Sequence, residues 1–136
     1  MSSRGMAAIL AATVMTGCAL FGGKVSLSTS PSMPAVEGGA RFSVSKNDNT
    51  VIVLNVKHLS HPEKLTPPAG SYVVWTKPNK DAMAQSIGAL KVDADLSGSL
   101  YAETPLHSFE LFITAEPTGE TQQPTGQPLL WTSYSR

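Results

Sequence analysis

The chain has 136 residues, 41% hydrophobic, 15% charged and 7% aromatic, with ten basic residues balanced by ten acidic ones. That length holds one domain, and the apolar content is above that of a disordered chain. A single cysteine, Cys18, excludes an internal disulfide and a cysteine-built metal knuckle, and the zero net charge excludes the positive field of a non-specific nucleic-acid binder.

Residues 1–17 read as an address. Arg4 precedes an uncharged stretch, from Gly5 to Gly17, rich in Ala, Met, Ile, Leu and Val. It is shorter than the roughly 20 apolar residues needed to span a bilayer. A basic start, a short apolar core and small residues before a cut make the pattern of a secretory signal peptide. A buried helix is the plainer alternative, but no polar face recurs at helical spacing. Met15-Thr16-Gly17-Cys18 resembles the bacterial lipobox, with Met15 where Leu is usual. The resemblance implies lipidation of Cys18, by a diacylglycerol on the thiol and an acyl chain such as palmitate on the new amine. One chain gives only marginal membrane binding, at about 0.8 kcal/mol per buried CH₂, whereas two or three anchor stably. A plain secretory signal followed by a free thiol is the competing reading. In the lipoproteins that this segment resembles, Asp after the cysteine tends to retain the protein in the inner membrane; Ala19 stands here, so the resemblance favours the outer membrane.

Residues 18–37 then form the lipidated cysteine and a flexible linker. Gly, Ser, Thr and Pro dominate there, and no period persists. Such a coil would span roughly 25 Å on average and about 60 Å stretched.

From about Gly38 onward short β-type runs alternate with turn residues. The first run, 41–46, places Phe42 and Val44 on one face; Asn47-Asp48-Asn49 turns the chain. The second, 50–59, aligns Ile52, Leu54 and Val56, and is broken by His61-Pro62 and Thr66-Pro67-Pro68. The third, 71–77, holds Tyr72-Val73-Val74-Trp75. Residues 81–86 are the only briefly helical stretch. The fourth and fifth runs, 87–93 and 100–104, flank Ser97-Gly98. In the sixth, 108–116, Phe109, Leu111, Ile113 and Ala115 alternate inward. The last run is 128–134. About seven short strands over residues 38–136 predict an all-β domain, an immunoglobulin-like antiparallel β-sandwich, with Trp75 compatible with a core tryptophan on its third strand. A small closed barrel would also accommodate the pattern.

Several stretches taken together, Tyr72-Val73-Val74-Trp75, Gly88-Ala89-Leu90-Lys91-Val92-Asp93, Phe109-Glu110-Leu111-Phe112-Ile113-Thr114-Ala115-Glu116-Pro117 and Gln123-Pro124-Thr125-Gly126, are similar to the extracytoplasmic C-terminal domain of anti-sigma-K-type factors. The resemblance covers residues 38–136 and implies a β-sandwich outside the cytoplasm. It looks closer still to stand-alone bacterial lipoproteins with that domain. Full anti-sigma factors of this type carry a cytoplasmic sigma-gripping domain and a transmembrane helix. Only 17 residues precede Cys18, so sigma-factor binding is not carried over.

No residue constellation argues for catalysis, a metal or a cofactor. His58 and His61 are three apart beside Glu63, with His107 as a distant third imidazole, but a strand end before proline does not assure a ligand geometry. Asp93-Ala94-Asp95-Leu96-Ser97-Gly98 mimics the start of an EF-hand loop, yet Thr104 stands where a bidentate Glu is needed, so a polar turn is expected. No Gly-x-Ser-x-Gly elbow occurs. His107 and Ser108 are strand neighbours pointing apart, and Glu103 and Glu110 would pair only by accident of folding. Residues 24–91 are net basic and residues 92–136 net acidic, a pattern that solvated strand faces or a dipolar docking surface would both explain. The expectation is a non-enzymatic binding or structural module of the bacterial envelope, held to the membrane by its lipid anchor and facing the periplasm or exterior, with a possible envelope protein partner and no nucleic acid. An envelope sensor or regulatory domain is the alternative.

Overall fold

A computed structural model describes residues 23–136. The signal segment and Cys18 therefore lie outside the described residues. Ten strands run in chain order: β1 (Val25–Ser26), β2 (Ser28–Thr29), β3 (Glu37–Val44), β4 (Thr50–Lys57), β5 (Ser71–Lys77), β6 (Gln85–Ala89), β7 (Lys91–Val92), β8 (Gly98–Thr104), β9 (Ser108–Glu116) and β10 (Leu130–Ser135). One 3₁₀ turn, Pro62–Lys64, lies between β4 and β5. Among the described residues, no helix is long and apolar enough to cross a membrane.

The strands form two five-stranded sheets, ordered β1-β3-β4-β8-β7 and β2-β10-β9-β5-β6. Every pairing is antiparallel. The series β3-β4-β8-β7 and β10-β9-β5-β6 reproduce the A-B-E-D and G-F-C-C′ orders of an immunoglobulin-type sandwich. The fold is therefore the expected all-β sandwich.

Strict alternation builds its core. Ile52, Leu54 and Val56 of β4 are fully buried, and they face Tyr72 and Val74 of β5 and Leu111 and Ile113 of β9. At one end Phe42 stacks on Tyr134 with centroids 4.4 Å apart and meets Phe109 edge-on at 5.9 Å. Val44 shares the face of Phe42 but lies beyond the core and is exposed.

Four features depart from the sequence reading. The stretch read as linker carries β1 and β2 within its described part, and Leu27, Met33 and Val36 enter the core. Runs of only two residues give no legible period, and tertiary packing decides them. The run 87–93 divides at Leu90, with β6 in one sheet and β7 in the other. Its bend coincides with a register shift opposite Val74 and Trp75 and with Gly88 at φ +137, a conformation that glycine adopts without strain. Residues 81–86 form turn and strand instead of helix. The second run ends at Lys57, because His58 takes φ +63 and the chain leaves the ladder so that Leu59 can cap the core end.

Leu27 and Leu90 thus mark two places where a short run passes between the sheets, from the first to the second at Leu27 and from the second to the first at Leu90, closing both sides of the sandwich. Short crossing strands leave little free ladder for another chain to extend.

The entry to β5 is tight. Gly70 donates its N–H to the Glu116 carbonyl at 2.8 Å, and a Cβ there would press on the Pro117 carbonyl oxygen. Gly70→Ala should destabilise the fold by about 1–3 kcal/mol, read as a lower urea midpoint at unchanged slope.

Candidate functional site

Alternation on β5, β9 and β10 sends one set of side chains to the core and the other to the outer face of the second sheet. On that outer face the ladder places Trp75 opposite Phe112, and Phe112 opposite Trp131. One aromatic row therefore crosses three strands. Lys77, Glu110 and Ser133 form a polar row beside it, two residues along each strand.

Exposure grades across the aromatic row. Trp75 is fully buried, with Val73, Ala84 and Phe112 packed around it. Trp131 is 40% exposed. Trp75 is therefore not the inter-sheet tryptophan that the sequence suggested: Tyr72 and Val74 take the core side, and the pleat turns Trp75 outward beneath the chain that follows β5.

A hydrogen-bonded chain fixes the far side of this face. Trp75 Nε1 donates to Thr114 Oγ1 at 2.8 Å, and Thr114 Oγ1 donates to Glu116 Oε2. The Glu116 carboxylate, fully buried, also accepts from the Thr125 hydroxyl, from Thr125 N–H at 3.0 Å and from Gly126 N–H at 3.3 Å. Burial pushes its pKa up, but the donors from Thr114, Thr125 and Gly126 together bring it below the usual carboxylate range. The Gln/Thr-rich connection between β9 and β10, residues 117–129, is thereby tied to the sheet. Leu129 N–H reinforces this by donating to the Ile113 carbonyl at 2.8 Å.

Between that connection and the polar row lies an open groove of about 660 Å³. Phe112 and Trp131 line it, with Pro128 and Gln127 on one wall and Lys77 and Glu110 on the other. Lys77 Nζ stands 5.7 Å from the Phe112 ring centroid, a cation–π distance. The groove brings apolar rings together with donors and acceptors of both charge signs.

The residues weighed in the sequence lie elsewhere. His58 and His61 follow β4, whereas His107 follows β8 at the opposite end, where Thr50 pairs with Thr104. The eight residues of β4 separate them by about 25 Å. His107 Nε2 instead sits 3.1 Å from Asp48 Oδ2, and Arg136 Nη1 lies 3.0 Å from Asp48 Oδ1. The Arg136 hydrogen bond, reinforced by the His107 charge, holds the Asp48 carboxyl below its ordinary range against partial desolvation. Among the described residues no three His, Cys, Asp or Glu side chains gather as metal ligands. Residues 93–97 form a turn that leads into β8: Ser97 N–H donates to Asp93 Oδ1 at 3.1 Å and to Asp95 Oδ1 at 3.3 Å, with Leu96 at φ +65. Glu103 and Glu110 lie on different sheets.

Sequence reasoning passed over Phe112, Trp131 and Lys77 as a group. Phe112 falls on the polar phase of β9, a large aromatic where a solvated strand face calls for a polar residue, and that was the available signal.

No curated protein matches the chain. A family model, Anti-sigma-K factor rskA, C-terminal, matches residues 2–129, a span that includes β1, β2 and the groove residues before Leu130. The chain belongs to that family.

Proposed function

We propose that this protein is a lipid-anchored, extracytoplasmic β-sandwich acting as a non-catalytic binding module of the bacterial cell envelope. The anchoring rests on Met15-Thr16-Gly17-Cys18, and Ala19 favours the outer membrane. The binding role rests on one observation, the open aromatic and polar groove on the outer face of the second sheet. Family membership supports a second reading, a regulatory or sensing domain outside the membrane.

The anchor has a direct test. In a bacterial host the wild-type chain should sediment with membranes and incorporate labelled palmitate, and intact-mass analysis should show a diacylglyceryl adduct on an N-terminal Cys18. Cys18→Ser should abolish the label and leave the precursor unprocessed. A wild-type product that begins at Met1, or a soluble one without lipid, would reject the anchored form. A sigma-factor-dependent reporter that shifts on deletion of the gene would favour the regulatory reading.

A further inference from the structure

We propose that the groove over Phe112 and Trp131 binds a neutral glycan chain. A sugar ring presents an apolar C–H face and a rim of hydroxyls, each of which both donates and accepts. Its binding site therefore needs a flat aromatic surface beside hydrogen-bonding groups of both kinds. Trp131, with 40% of its surface free, supplies the aromatic surface, and Phe112 opposite it on β9 extends that surface.

The polar rim complements hydroxyls. The Lys77 ammonium supplies donors, the Glu110 carboxylate acceptors, and Ser133 and Gln127 serve as both. Lys77 and Glu110 face each other across β5 and β9, so their charges balance and favour a neutral ligand over a phosphate or a cation. The alternatives fit less well. A second protein surface needs an apolar interface core, and one part-exposed tryptophan beside a half-buried phenylalanine does not supply it. The groove volume of about 660 Å³ lies within the range of small-ligand sites.

The site is also held rigid. The connection 117–129 that supplies Gln127 and Pro128 is pinned through Thr125 and Gly126 to buried Glu116. Pre-ordering of this kind reduces the entropy cost of binding.

The inference needs neither the anchor nor the location proposed above. Full-length protein, kept in a detergent without a sugar headgroup, is titrated with chitohexaose, cellohexaose and maltohexaose while the heat of binding is followed, a readout that survives loss of Trp131. The expected result is a saturable change with at least one of them. Trp131→Ala should weaken it by about tenfold or more, and Glu110→Gln by several-fold, while Trp131→Phe should retain part of it. Far-ultraviolet circular dichroism and the urea midpoint serve as fold controls for these solvent-facing variants. A lack of saturable response to all three sugars would overturn the proposal, as would an affinity unchanged in Trp131→Ala. A dimer that Trp131→Ala dissociates, without any sugar response, would overturn it in favour of a second copy of this chain. Glycan binding by an unlipidated Cys18→Ser protein would support it whatever becomes of the anchor.

Discussion

Trp75→Ala should lower the free energy of unfolding by about 4 kcal/mol, the largest single-residue loss expected on the outer face of the second sheet. The indole is fully buried there, with Val73, Ala84 and Phe112 around it. Its removal leaves a void and also takes away the donor at 2.8 Å from Thr114 Oγ1. Trp75→Phe keeps most of the packing and loses the hydrogen bond, so a cost of about 1–2 kcal/mol is expected. Urea unfolding followed by circular dichroism reads both. A Trp75→Ala loss below about 1 kcal/mol would mean that this outer layer opens independently of the sandwich core.

Glu116→Ala comes next, with an expected loss of about 3 kcal/mol. The carboxylate gathers donors from Thr114, Thr125 and Gly126 in a site without solvent access. Truncation strands the Thr125 and Gly126 N–H groups. Its folded pKa lies below the usual carboxylate value, which fixes the sign of the pH dependence. The stabilisation is fully present above the unfolded carboxylate range and drains away as pH falls through the lowered folded value. Glu116→Gln should therefore be less stable than wild type at neutral pH and flatten the acid side of the stability profile. An acid limb as steep in Glu116→Gln as in wild type would show that other carboxylates, Asp48 among them, set the acid response.

Much of the sandwich was legible because its central strands obey simple periods. Ile52, Leu54 and Val56 announce one buried face on β4, and Phe109, Leu111 and Ile113 do so on β9. The continuous apolar run Tyr72-Val73-Val74-Trp75 announced a strand, and the structure buries it on both faces. It could not say which face met the other sheet, since that depends on register with β9. A core position for Trp75 was compatible with the sequence for this reason, but Tyr72 and Val74 hold that place. Nor could β1 and β2 be read, because two-residue strands of Val, Ser and Thr within a Pro- and Gly-rich stretch carry no period. The groove was hidden for a related reason. Lys77, Phe112 and Trp131 are far apart in sequence and become neighbours only through the β5–β9 and β9–β10 ladders.

The two crossing strands at the N-terminal side have a mechanical consequence. A pull on the chain ahead of Lys24 reaches β1 first, where Val25 and Ser26 pair with Ala40 and Gly39. The load passes next to buried Leu27 and then to β2, where Ser28 and Thr29 pair with Trp131 and Leu130. So few paired residues make β1 and β2 the elements expected to open at low free energy. Peeling β2 from β10 would uncover the edge beside Trp131 and take Ser28 from the lining of the groove. Tension at the N-terminal end would thus be felt at the groove before it is felt by the core.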